Sequence, residues 1–356
     1  MATRACRPGS GTRTKRTRTK RYLAAAVAVA GLLAGCSGGG GHKSARAGLP
    51  TPAAGKIAAF DLGALSDTYD LNEDVMSGDT LVTTSRSGDV YMVEWDGADH
   101  PDVLRMTPQG VVARYVRVDH RVDNASLVVR SDGSVVFGVL KQSPPTRVAK
   151  LPVTDKDGRT TALAIPPTSD NALPVGERPD GSLVISEGGD LWALGKGTST
   201  RLYHQSAPIF TGAVVDPAGT VYSATGDLSD IVAIPVGKAP EHLHLSGTLP
   251  GTHTAIASLR LSHLAPATGG GFYALAQDTA HSSAAVVYVH NGRATVLAKT
   301  PNDGHACTPG HQYPALTSTC GTQAYIAQSG KRVLLLGNLV HRSSADPALA
   351  LAAAGS

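Results

Sequence analysis

A short turn-and-strand unit recurs along this chain and constrains its fold more than any other feature. Val128-Val129-Arg130-Ser131-Asp132-Gly133-Ser134-Val135-Val136-Phe137 aligns with Gly176-Glu177-Arg178-Pro179-Asp180-Gly181-Ser182-Leu183-Val184-Ile185, and Val214-Val215-Asp216-Pro217-Ala218-Gly219-Thr220-Val221-Tyr222 is a third copy. Weaker copies centre on Gly78, Gly270 and Gly321, so the six glycines are 55, 48, 38, 51 and 51 residues apart. In each strong copy a strand runs into a tight turn and a second strand leaves it, with glycine where the chain needs a positive φ. Self-similarity at this period marks one supersecondary unit repeated in space.

Further strands complete the unit. A third follows at Asp89–Val93, Asp190–Leu194, Asp230–Ile234, Val286–Val289 and Arg332–Leu336, and a fourth at Thr200–His204 and Arg293–Leu297. Between Ile57 and Val340 no long 3.6-residue apolar period interrupts this texture of short β-rich runs and Gly, Pro, Asp and Ser clusters. Four strands every ~40–50 residues is the period of a propeller blade, and stacking blades radially buries faces that one blade leaves open. The expectation is an all-β, six-bladed β-propeller of four-stranded antiparallel blades over residues 57–340, with 341–356 as a tail. Seven blades stays open because Ile57 to Leu71 is unassigned, and a pair of β-sandwiches is the alternative fold. Aromatic residues are only 4% of the chain, so blade packing must rest on Val, Leu, Ile and Ala.

The Asp-Gly turn followed by an apolar strand resembles the NHL, SMP-30 and TolB-like six-bladed propellers, as a pattern over the domain rather than residue by residue. No Gly-His and Trp-Asp pair recurs at blade spacing, so the chain lacks the signature of WD40 blades.

The N-terminus reads as a processing signal over residues 1–35. Eight Lys and Arg and no acid precede the apolar run Leu23–Ala34, which is too short for a helix of ~20 residues to cross a bilayer. It ends in Leu33-Ala34-Gly35-Cys36, which resembles the bacterial lipobox. That resemblance implies lipidation of the Cys36 thiol, cleavage before it, and a chain held on the extracytoplasmic side of the cell membrane. Residues 36–56, rich in Gly, Ala and Pro, then form a flexible linker. Removing the leader leaves 24 Lys and Arg against 28 Asp and Glu, a net charge of −4 in place of +4. An acidic mature chain lacks the basic footprint of a nucleic-acid binder.

Cys307 and Cys320, an even pair in an oxidising compartment, are expected to form a disulfide. Aligning Gly321 with the inner turn of the last blade sets the two cysteines too far apart, so either that strand is short or the alignment slips. No phosphate loop, nucleophile elbow or zinc-protease motif is present, and no catalytic residue is assigned.

The repeat offers one candidate surface. Asp123-Asn124 and Asp170-Asn171 precede the inner strands of adjacent blades, where their oxygens could meet a cation or polar ligand or simply form Asx turns. Glu73, with Asn124 and Asn171, is the metal-ligand set that an SMP-30-like lactonase would draw on, with calcium as a candidate cation. A lyase like the streptogramin-inactivating family is the other enzyme alternative. No cofactor is otherwise implied. The preferred reading is a monomeric, membrane-tethered binding or scaffold module for an unidentified protein, cell-wall polymer or small molecule.

Overall fold

The computed structural model describes residues 48–74, 81–94, 100–120, 122, 126–140, 150–166, 171–207, 209, 212–225, 230–278, 283–301, 307–321, 325–337 and 348–353. The strands form six antiparallel sheets that make the blades of a six-bladed β-propeller. Blade 1 comprises Val82–Thr84, Val90–Glu94, Asp102–Met106 and Val112–Arg117, and blade 2 comprises Leu127–Val129, Val135–Phe137, Lys150–Thr154 and Thr160–Ala164. Blade 3 comprises Asn171–Glu177, Leu183–Glu187, Asp190–Leu194 and Ser199–His204, with Val139–Leu140 paired to its first residues. Blade 4 comprises Ala213–Val215, Val221–Ala224, Ile231–Ile234 and Glu241–His242; blade 5 comprises Arg260–Pro266, Phe272–Asp278, Ser283–His290 and Arg293–Pro301.

Blade 6 closes the ring with both ends of the domain. Tyr325–Ser329, Arg332–Leu336 and Ala348–Ala352 are joined by Lys56–Phe60, which pairs Ala58 with Ala350. The stretch Ile57 to Leu71 therefore makes no seventh blade: it supplies this outer strand, then a 3-10 turn at Gly63–Leu65. Residues 348–353, read from sequence as tail, belong to the propeller, because Ala348–Ala352 is the third strand of the last sheet. A fifth strand, Gln312–Pro314, covers the outer edge of Lys56–Phe60. The buried disulfide Cys307–Cys320, with a Cα separation of 5.4 Å, closes the loop that carries it.

The strong copies of the repeat share one hydrogen-bond pattern. Gly133 N donates to Arg130 O and Arg130 N to Ser134 O; Gly181 with Arg178 and Ser182 repeats this, as does Gly219 with Asp216 and Thr220. In the first two, the Asp of Asp-Gly-Ser accepts from both the amide and the hydroxyl of the Ser two residues on. The inner turns of blades 1 and 6 do not lie at Gly78 and Gly321. The turn of blade 1 sits at Gly88, where Gly88 N donates to Ser85 O, and that of blade 6 at Gly330, with Ser329 opposite Arg332 across a two-residue loop. A Ser-Gly dipeptide and a tighter loop replace Asp-Gly there, so matching on Asp-Gly misses both. Val90–Glu94 and Arg332–Leu336 are consequently second strands, not third. The slip at Gly321 also removes the obstacle to the disulfide, since Cys320 lies before the inner strand of blade 6 and not at its turn.

The core is divided as radial stacking demands: six buried clusters lie between the six blades. Strand alternation does the sorting. In blade 1, Val90 and Met92 face the cluster shared with blade 6, while Tyr91 and Val93 face the one shared with Phe137 of blade 2. Each such side chain contributes about 1.5–3 kcal/mol on burial. Polar ties reinforce the stacking at the turns: Tyr115 Oη donates to Gly133 O, Arg130 Nη2 to Gly181 O, and Arg178 Nε to Gly219 O. Gly271 N donates to Asp216 Oδ2, and Gln328 bonds both Thr268 and Gly330.

Candidate functional site: the central channel

The inner strand is the terminal strand of every blade sheet except that of blade 3, whose first residues are covered by Val139–Leu140. Around the axis these strands enclose a cavity of about 730 Å³. Val82, Val129, Val175, Val215, Ala265 and Ile326, one from each inner strand, line it. These side chains also pack in or against the clusters between the blades, so the wall combines their exposed aliphatic parts with the unpaired backbone edges of the strands and with polar side chains such as Thr83 and Ser126. That volume and lining suit a small organic ligand.

Polar groups interrupt this wall at two levels. His263 of blade 5 has φ 51°, at an irregularity where the register shifts between Ser262 and Ala265. A positive φ at a non-glycine residue costs about 1–2 kcal/mol and persists only where the surroundings enforce it. Burial pushes the His263 pKa below its ordinary value, so the ring is neutral at pH 7 and offers one donor and one acceptor. The Ser126 hydroxyl, also on the wall, is buried without a hydrogen-bond partner among the described residues.

At the end of the channel where the inner turns lie, basic side chains gather. Arg86 Nη2 of blade 1 reaches past blade 2 to the Glu177 carbonyl of blade 3, at 2.6 Å. The Glu177 carboxylate, only 6% exposed, accepts from Arg130 Nε at 3.2 Å and from Ser131 N at 2.6 Å. Arg105 pairs with Asp89 at 2.8 Å, which raises the Arg105 pKa, and Lys156 lies over Gly133. All of these line the same cavity.

Of the residues singled out in the sequence, Asn171 opens the inner strand of blade 3, where Gly188 N donates to its Oδ1 at 3.2 Å. Asp123, Asn124 and Asp170 lie outside the described residues, as does Cys36. Glu73 falls in the helical turn Leu71–Asp74, its side chain outside what is described. Of the metal-ligand set expected from the sequence, the described side chains include only Asn171, and no cluster of three His, Cys, Asp or Glu that could hold a metal occurs among the described residues. No helix among them is long and apolar enough to cross a membrane.

Sequence reasoning missed the residues that do meet in the channel. Arg130 and Arg178 stand at the same place in two repeat copies, three residues before the turn glycine. That coincidence was a visible signal for the tie to the next blade. His263 gave none, because its position depends on a strand irregularity.

The fold makes this chain a six-bladed β-propeller protein. No family model matches it, and no curated protein does. Among solved structures it is similar to an auxiliary nutrient-binding protein from Bacteroides ovatus, at 12% identity over 83% of this chain and 76% of that one, with a TM-score of 0.53. A second auxiliary nutrient-binding protein, from Bacteroides thetaiotaomicron, is 11% identical over the same shares with the same TM-score. Virginiamycin B lyase from Staphylococcus aureus is 13% identical over 83% of this chain and 98% of its own, with a TM-score of 0.46. At these identities the likeness is one of fold.

Proposed function

We propose that the mature chain is a binding module, tethered outside the cytoplasmic membrane by lipid on Cys36, whose small-molecule ligand occupies the central channel. The observation that carries this reading is the cavity of about 730 Å³, lined by aliphatic side chains and sparse polar groups, among them the Ser126 hydroxyl, buried without a hydrogen-bond partner among the described residues. Binding sites have this composition: apolar area supplies affinity, and sparse polar groups set orientation. The strain at His263 supports the same reading, because a neutral imidazole held there at an energetic cost is poised to exchange one hydrogen bond with a guest. The leader supports the tether, through the basic segment, the short apolar run and Leu33-Ala34-Gly35-Cys36.

The test uses the full chain carrying Cys36→Ala, so that no lipid or detergent competes for the channel. Its melting temperature is read against a mixed panel of sugars, amino acids, nucleosides and small amphiphiles. A ligand of the native state raises that temperature by mass action. Val175→Trp, which places an indole in the cavity, is expected to abolish each shift. A panel without a single shift, or shifts that survive Val175→Trp, refutes channel binding. Metabolic labelling with a lipid precursor decides the anchor separately: label on the parent and none on Cys36→Ala is expected.

A further inference from the structure

The charge around the channel runs against the charge of the chain. The mature protein carries a net −4, yet among the described residues the cavity is lined by Arg86, Arg105, Arg130 and Lys156 against Asp89 and Glu177. Both acids are already engaged, Asp89 by Arg105 at 2.8 Å and Glu177 by Arg130 at 3.2 Å. Asp132 stands 3.5 Å from Arg130, outside the lining. Arg86 spends one N–H on a carbonyl and has no acidic partner among the described residues. Lys156 makes no salt bridge among them, though its charge reaches Asp132. Two cations therefore face the cavity with donors to spare, and the strand-lined part behind them includes the aliphatic side chains Val82, Val129, Val175, Val215, Ala265 and Ile326. A cavity with low-dielectric walls concentrates such a field toward a guest of opposite sign.

We infer that the ligand is a small amphipathic anion, with an aliphatic body along the strand-lined channel and an anionic group at Arg86 and Lys156. This rests on the channel-binding reading and names the chemistry it would select. A purely polar anion would leave the aliphatic wall unfilled, and a neutral apolar guest would leave both cations unpaired. Both side chains are exposed at turns and neither is part of the buried clusters, so their replacement is expected to keep the fold, at the cost of the bond from Arg86 to the Glu177 carbonyl.

The probes are octanoate, its neutral isostere 1-octanol, and acetate, which carries the head without the body. Each is titrated calorimetrically into the full chain carrying Cys36→Ala in detergent-free buffer. Octanoate is expected to bind about tenfold or more tightly than octanol, and acetate not at all. The double variant Arg86→Gln/Lys156→Gln should bring octanoate down to the level of octanol while leaving octanol unchanged. About 0.5 M sodium chloride should narrow the same gap. Octanol binding as well as octanoate, octanoate binding that ignores the double variant, or no octanoate binding each overturns the inference. A panel compound of other chemistry that still needs an open channel at Val175 would then leave the channel-binding reading standing, so the two failures are distinguishable.

Discussion

Two glycines at inner turns, both with positive φ, should respond very differently to one methyl group. Gly181 and Gly271 both have positive φ, 80° and 74°, so Gly→Ala costs each about 1–2 kcal/mol for placing an L-residue in the left-handed region. At Gly181 that is the whole cost, because nothing lies within 4 Å of the added Cβ. At Gly271 the Cβ would stand 2.1 Å from Val289 O and 3.2 Å from His290 Cα, in the neighbouring strand of blade 5. The backbone must move by more than 1 Å to restore an ordinary contact, which adds about 1–3 kcal/mol of overpacking. The same movement pulls Gly271 N off Asp216 Oδ2, now at 3.2 Å, and loses a bond to a charged group worth about 1.5–3 kcal/mol. Gly271→Ala should therefore destabilise by about 4–8 kcal/mol if the terms add, against about 1–2 for Gly181→Ala. Urea unfolding followed by tryptophan fluorescence and circular dichroism in parallel measures both, provided the two transitions coincide. Losses equal to within about 0.5 kcal/mol would refute the reasoning, since they would mean that blade 5 gives way at no cost beyond the φ angle.

Arg178→Met should destabilise by about 2–4 kcal/mol, because Gly219 O and Ile234 O lose a buried guanidinium that joins blades 3 and 4; Arg178→Lys should not restore the loss, as shown by urea midpoints. Cys307→Ser/Cys320→Ser opens a loop of sequence separation 13 and should cost about 3 kcal/mol, with the parent matching the variant once a reductant is added. Stability should also fall on acidification through His263. Its folded pKa lies below the ordinary value of about 6.5, so below that pH the unfolded chain binds a proton that the native chain refuses, and His263→Gln should remove that part of the loss between pH 7.5 and 5.5.

The fold was legible because a propeller is written locally. Each strong copy holds its turn within five consecutive residues, and the bonds at Arg130, Gly133 and Ser134 recur at Arg178, Gly181 and Ser182. Alternation inside a strand such as Val90–Glu94 then decides which neighbour each side chain meets. The ring closure was not legible in the same way. Lys56–Phe60 finds Ala348–Ala352 across nearly the whole chain, and nothing in either segment specifies a partner beyond an apolar β-run. Gly88 and Gly330 escaped for a different reason: their turns reach the same hairpin with other residues, so backbone geometry persists where the dipeptide does not.

The candidate site divides along the same line. Sequence reasoning looked for oxygen ligands at Asp123-Asn124 and Asp170-Asn171, because identical dipeptides at equivalent places stand out. The charged groups that meet in the channel are drawn from unlike places: an inner turn for Arg86, an outer hairpin for Lys156, a strand end for Glu177. Unlike positions make no repeat, and a ring of near-identical blades can acquire a directional site only where the repeat is broken. Arg130 illustrates the point. It donates to the turn carbonyl of the next blade as Arg178 does, but only Arg130 also meets a carboxylate on the channel wall, because only blade 3 presents Glu177 beside it. The repeat supplies the tie between blades, and the single departure from it turns that tie toward the axis. Where the next departures lie, at Arg86 and at His263, the channel gains a cationic end and a neutral hydrogen-bonding group beside the aliphatic side chains of its wall.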